Sequence, residues 1–215
     1  MKRRRDRPVG SLLVTMALLL VCGCATDEDR ASSFRDDFDD SSGGWGTYES
    51  EEFDRGYVDG EYFIELHRPN WFAWASAGRR LDDVGVEMDA YLDSGSQGSH
   101  FGVLCRYVDE SNFYYFAVSA DGYYAIFKRL DGGDLEVLTG NGDGMVPSPA
   151  IKTGEQVNHV AVTCQGTELS LYVNGELVDM VTDEAHVRGD VGVGTGSGAD
   201  GGARVHFDDF VVTKP

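Results

Sequence analysis

Positive charge is scarce in this chain. Its 215 residues hold 18 Lys and Arg against 37 Asp and Glu, a formal net charge of −19. Such an acidic balance excludes nucleic acid and anionic lipid headgroups as partners, because both are polyanions. Helical periodicity is missing too: no segment sustains apolar residues at a 3.6 period, which excludes a helical architecture. The apolar run from Ser11 to Val21 is too short to span a bilayer. Cysteines number four, and neither Cys105 nor Cys164 has His or Cys at the spacing a zinc site needs. The five histidines, His67, His100, His159, His186 and His206, stand in no motif with a serine or cysteine nucleophile and are expected on strand surfaces. There is no phosphate loop; GTGSGADGG at 194–202 reads as a flexible turn.

The few basic residues are concentrated at the start. Lys2, Arg3, Arg4, Arg5 and Arg7 precede the short apolar run, which ends in Val21-Cys22-Gly23-Cys24. This pattern resembles a bacterial lipoprotein signal over 1–23, with Cys24 as the lipidated residue; the alternative is a plain secretory signal. The expectation is an extracytoplasmic protein of the bacterial cell envelope, touching the membrane only through that anchor. Loss of 1–23 removes five basic residues and one acidic residue, taking the charge from −19 to −23. Residues 24–33 read as a polar tether, and 34–215 as a single domain, expected to be a monomer.

Strand patterns fill that domain. Asn158 to Asp183 is the clearest stretch. Val160, Val162 and Cys164 alternate with polar neighbours, as do Leu169, Leu171 and Val173, and Asn174-Gly175 supplies a hairpin turn that tolerates positive φ. Further strands are expected at Phe53–Val58, Glu61–His67, Trp71–Ala77, Val84–Asp93, His100–Val108, Asn112–Ser119, Tyr123–Arg129, Leu135–Thr139, Asp190–Gly194 and Arg204–Thr213. Asn141–Thr153, marked by Pro147 and Pro149, reads as a loop. About a dozen short strands separated by Gly, Asp and Asn turns predict an all-β antiparallel sandwich.

Four segments then carry a resemblance: DDFDDSSGGW near the start, NFYYFAVSADGYYAIFKR in the middle, AIKTGEQVNHVAVTCQGTELSLYVNGELV, and the closing VHFDDFVV. Over Phe34 to Pro215 the chain resembles the concanavalin A-like jelly-roll superfamily, in the branch of laminin-G-like, exo-inulinase accessory and 3-keto-disaccharide hydrolase-like domains. The resemblance implies two antiparallel sheets forming a jelly roll, with the first and last strands paired and Phe38 sharing the core with Phe207 or Phe210. It implies a curved face on which relatives bind sugar. It also implies a structural calcium ion, because Phe207-Asp208-Asp209-Phe210 is similar to the closing strand of the endo-glucanases. Asp209 matches their calcium-binding aspartate, Gly60 the glycine turn and Asp37 the first-strand carbonyl. Calcium suits such a mixed set of oxygens. The alternative is that the acidic residues only blunt exposed strand ends.

Cys105 shares strand parity with Phe101, Val103 and Tyr107, and Cys164 with Val160 and Val162. In an oxidising compartment they are expected to form a disulfide; the alternative is two buried thiols. A glycan or polysaccharide ligand would stack on aromatic faces and bond to polar side chains. Trp71, Trp74, Tyr114, Tyr123 and Tyr124 are the aromatic candidates, with Arg106 and Arg129 as polar ones. Tyr123 and Tyr124 are strand neighbours, so they cannot both face a ligand on one side. Glu87-Met88-Asp89-Ala90-Tyr91-Leu92-Asp93 is the one stretch near a glucanase glutamate motif, and its second glutamate is absent. The leading reading is therefore a non-catalytic, lipid-anchored carbohydrate-binding or adhesive module. The alternatives are a glycan-processing hydrolase with an atypical carboxylate site and a protein-interaction module of the cell surface.

Overall fold

The structure, a computed structural model, describes residues 33–215. The expected signal at 1–23, the lipidation site Cys24 and residues 24–32 of the tether lie outside the described residues. The chain begins with β1 (Phe34–Asp36), a 3-10 turn at Ser41–Gly43, and β2 (Tyr48–Glu49). Then come β3 (Phe53–Val58), β4 (Glu61–Leu66), β5 (Phe72–Ser76), β6 (Val84–Gly95), β7 (His100–Asp109), β8 (Asn112–Ser119) and β9 (Tyr123–Arg129). Two short strands follow, β10 (Glu136–Val137) and β11 (Val146–Pro147). The chain ends with β12 (Asn158–Gln165), β13 (Glu168–Val173), β14 (Glu176–Thr182), β15 (Asp190–Gly196) and β16 (Ala203–Thr213).

Two antiparallel sheets result, as in a concanavalin A-like jelly roll. The nine-stranded sheet runs β14-β13-β12-β6-β16-β4-β3-β2, with β1 joined to β16. The seven-stranded sheet runs β10-β9-β8-β7-β15-β5, with β11 joined to β9. The β12–β13–β14 meander, at one edge of the nine-stranded sheet, follows the alternation: Val160 pairs with Val173, Val162 with Leu171 and Cys164 with Leu169, and all six side chains are buried. At the turn, Asn174 and Gly175 take φ of 52° and 85°, the conformation that a two-residue hairpin of this hand requires.

The first and last strands meet, Phe34 opposite Val212. Behind that seam Phe38 packs 5.2 Å from Trp45, and Trp45 edge-on 4.7 Å from Phe210. Cys105 on β7 and Cys164 on β12 form a disulfide, which ties the seven-stranded sheet to the nine-stranded one.

Some details depart from the sequence reading. The expected strand Leu135–Thr139 shrinks to two residues, and the expected loop contributes β11, paired with Tyr123 and Tyr124. A bulge interrupts β7 after Cys105, where Arg106 takes φ of 51°. The bulge breaks the alternation, so Tyr107 leaves the parity of Cys105 and packs 6.1 Å from Trp74 on the sheet's other face. That other face is itself apolar. Leu104, Phe113, Tyr115 and Phe127 are buried there, with Phe72 and Trp74 against them. Gly194 makes room for them: a Cβ at that position would stand 2.8 Å from Leu104 and 3.0 Å from the Phe72 ring. β8 therefore reads as a continuous apolar run because both of its faces are covered.

Candidate functional site

The aromatic groove of interest lies where the edges of the two sheets come together. Its volume is about 350 Å³, and it is lined by Tyr48, Phe53, Arg55, Trp71, Phe72, Ala73 and Trp74. One wall comes from β2 and β3. Phe53, Arg55 and Tyr57 sit opposite the buried Leu66, Ile64 and Tyr62 of β4, so they lean toward the second sheet at its open margin. Tyr48 stacks on Phe53 at 4.8 Å and is 48% exposed.

The other wall is β5, the edge strand of the seven-stranded sheet. Trp71 stands at its entrance, anchored by Ser197: the Ser197 hydroxyl accepts from the Trp71 amide at 3.0 Å, and the Ser197 amide donates to the Trp71 carbonyl at 2.9 Å. Its side chain remains 38% exposed. Trp74 is half-buried against Phe72 at 5.7 Å. Arg55 spans the two walls, donating through Nη1 to the Trp74 carbonyl. That carbonyl faces away from β15, since β15 bonds the alternate residues of an antiparallel edge. Apolar walls with a few aimed polar groups are what a saccharide ring requires.

Of the sequence candidates, the structure brings Trp71 and Trp74 together and separates the rest from them. Tyr123 is exposed, but it lies on β9, four strands from β5 and so about 19 Å away at the usual strand spacing. Tyr124 faces the core. Tyr114 is fully buried, so it cannot stack on a sugar. Its hydroxyl donates to Asp183 at 2.5 Å and accepts from the His186 amide at 3.1 Å. Burial, reinforced by Asp183, raises its pKa well above the usual tyrosine value.

Arg106 is 1% exposed and likewise unavailable to a ligand. It donates to the His186 carbonyl at 2.9 Å and to Asp83 at 3.3 Å. Arg129 is occupied with the Gly133 carbonyl. Tyr48, Phe53 and Arg55 escaped the sequence reading. Phe53 and Arg55 share a strand face, which was a usable signal. Tyr48 joins them only through the β2–β3 pairing.

The histidines also need correction. His186 and His206 are buried, and His100 is half-buried. Burial pushes His100 down to about 4, so it is neutral at neutral pH. His206 belongs to a polar row on the outer face of the nine-stranded sheet. There Glu61 accepts from the Tyr91 hydroxyl at 3.0 Å and lies 2.6 Å from His206 Nδ1. Arg204 donates to His206 Nε2 at 3.1 Å and to Glu65 at 2.9 Å. In the same row His159 lies 2.7 Å from Asp89 and 3.7 Å from Glu87. The glutamate-like stretch thus shares one face as its alternation requires, and Asp89 and Glu61 already have protein partners. Asp208 is raised, first by burial and then by the neighbouring charges of Asp209, Glu61 and Asp89.

At the seam, Asp209 sits in a bulge with φ of 50° and its carboxylate pairs with Arg35 of β1. Asp39 lies against the Gly60 turn, its Oδ1 2.7 Å from where a Cβ would stand, while Asp37 is exposed. Among the described residues no cluster of three or more His, Cys, Asp or Glu side chains could hold a metal ion.

A search of curated protein sequences returns no match. Among solved structures, a carbohydrate-binding module, CBM66, from Bacillus subtilis is similar at 18% identity and a TM-score of 0.55, covering 85% of this chain and 96% of that one. A Bacillus licheniformis beta-glucanase is similar at 14% identity and a TM-score of 0.61, covering 86% and 99%. A Bacillus subtilis protein of unknown function with a galectin-like fold is similar at 12% identity and a TM-score of 0.61, covering 84% and 94%. At these identities the likeness is one of fold. Residues 80–212 match a laminin-G-type family profile, and the chain belongs to the concanavalin A-like lectin/glucanases superfamily.

Proposed function

We propose that this protein is a non-catalytic carbohydrate-binding or adhesive module, held at the outer side of a bacterial membrane by a lipid on Cys24. The groove between β2–β3 and β5 carries this reading, because it holds Trp71 and Tyr48 exposed on either side of a sugar-sized space. A glycan array probed with the purified protein, followed by titration of the best ligand, tests it. Trp71→Ala is expected to weaken binding about tenfold, the loss of one stacked ring. Its thermal midpoint should stay close to wild type, because Trp71 is largely outside the core. The glycan should gain no new reducing ends. Wild-type affinity in Trp71→Ala would move the site elsewhere, and release of reducing ends would favour the hydrolase reading at Glu61 and the β6 carboxylates.

We also propose a structural calcium ion at the seam, held by Asp209 with backbone carbonyls near Asp37 and Gly60 and displacing Arg35 from the carboxylate. A ligand that binds only the native state stabilises it by mass action, about 2.7 kcal/mol at 100 times Kd, or roughly 7 °C for a chain of this size. Thermal unfolding in EDTA and in millimolar calcium is expected to show that rise in wild type and none in Asp209→Ala. A wild-type midpoint unmoved by calcium leaves Arg35 as the sole partner of Asp209.

A further inference from the structure

We propose that the groove selects an acidic sugar, and that Arg55 is the residue that reads its carboxylate. The inference rests on the groove being the glycan site. Arg55 is the one charged residue lining it, among aromatic and small apolar neighbours. In a chain with twice as many acidic as basic residues, five of the nine arginines among the described residues have found a carboxylate. Arg35, Arg68, Arg106, Arg188 and Arg204 each pair with an Asp or Glu. Arg55 pairs with none among the described residues.

Its hydrogen bonding is equally incomplete. Nη1 donates to the Trp74 carbonyl, a contact that orients the guanidinium without neutralising it. Nε is buried with no partner. Nη2 has no acceptor among the described residues and is not one of the buried unpaired atoms, so it reaches solvent. The guanidinium has no carboxylate partner among the described residues and keeps Nη2 as a free charge-assisted donor, which a ligand carboxylate can accept from. Tyr48, Phe53, Trp71 and Trp74 line the same groove, so a pyranose ring stacked there has the guanidinium as its charged neighbour. The ligand class is therefore a glycan bearing isolated uronate residues. The chain's net charge of −19 disfavours a densely charged polyanion, whereas one carboxylate on an otherwise neutral oligosaccharide meets mainly the local field, since the Debye length at physiological salt is about 8 Å.

The experiment uses matched trisaccharides, each ending in a glucuronate or galacturonate, beside the same compounds with the carboxyl reduced to an alcohol and with a sulfate ester in its place. Isothermal titration of the purified protein is expected to show one uronate form binding about tenfold more tightly than its reduced partner, the worth of one charge-assisted pair. Arg55→Gln should remove that preference, so that the uronate and reduced forms bind alike. Arg55→Lys, which keeps the charge and can still reach the Trp74 carbonyl, should retain part of it, and it serves as the readout if the glutamine variant fails to fold. Trp71→Ala should weaken both forms alike. Equal binding of uronate and reduced forms, or binding of neither, overturns the assignment to Arg55. Tighter binding of the sulfated compound overturns the assignment to uronate. If the reduced form binds and Trp71→Ala leaves that binding unchanged, the groove itself is not the glycan site.

Discussion

Opening the Cys105–Cys164 bond is expected to cost about 4 kcal/mol of stability. The two cysteines are 59 residues apart, and in the chain-entropy account a closed loop of that length restricts the unfolded chain by about that amount. The bond joins β7 to β12, strands of different sheets. Its loss therefore frees one layer of the sandwich relative to the other in the unfolded ensemble. Urea unfolding of the oxidised protein, the same protein in reductant, and the Cys105→Ala/Cys164→Ala variant checks this. The reduced protein isolates the cross-link, because it keeps both sulfur atoms in place; the double alanine adds a small cavity. The midpoint should fall in both, with the thermal midpoint about 10 °C lower. The slope should steepen as the unfolded chain expands. Coincident midpoints for oxidised and reduced protein would show that the unfolded chain keeps its two ends together without the bond.

Arg106→Ala is expected to cost about 3 kcal/mol. The side chain is fully buried at the end of the sandwich, between the His186 carbonyl and Asp83. Alanine leaves a cavity of most of an arginine and strands a buried carbonyl without its donor, and each effect alone costs about 1–3 kcal/mol. The left-handed backbone at this position persists in the variant, so no strain is relieved to offset the loss. Asp83→Asn should cost less than about 1 kcal/mol, because that carboxylate is half in water and also accepts from the Gly166 amide. Chemical denaturation of both variants separates them. Similar losses would mean that the ion pair, rather than packing and the carbonyl bond, sets the worth of Arg106. An Arg106→Ala variant within 1 kcal/mol of wild type would mean that the end of the sandwich collapses around the gap.

Arg106 also marks the limit of reading strands by alternation. The parity of β7 puts Phe101, Val103 and Cys105 inward, and the structure agrees for all three. The next residue should then point outward to a ligand. A single bulge turns it into the core instead, and sends Tyr107 to the opposite face. The bulge answers a matching irregularity at the start of β15, and Gly189, just before that strand, lies against the Arg106 backbone: a Cβ there would stand 2.4 Å from its carbonyl carbon. No local pattern around residue 106 announces a partner more than 80 residues later.

Tyr114 fails for a related reason. NFYYFAVS is apolar on both parities, because β8 has the main core on one side and the aromatic layer with Phe113, Tyr115 and Phe127 on the other. An aromatic on such a strand looks equally suited to a ligand face and to a core. Only the pairing of β8 between β7 and β9 decides for the core.

By itself, then, the sequence determined the strands of the β12–β14 meander, the Asn174-Gly175 turn, the inward parity of Cys105 and Cys164, and the class of the fold. Each of these follows from period-two patterning or turn chemistry, which act over a few residues. The tertiary structure alone decided which aromatics stay in reach of a ligand. Trp71 and Trp74 matter because β5 is an edge, and Tyr48, Phe53 and Arg55 matter because β2 and β3 edge the other sheet beside it. Exposure at an edge is a property of where strands stop pairing. Such pairing joins residues far apart in the chain, so no window of sequence contains it.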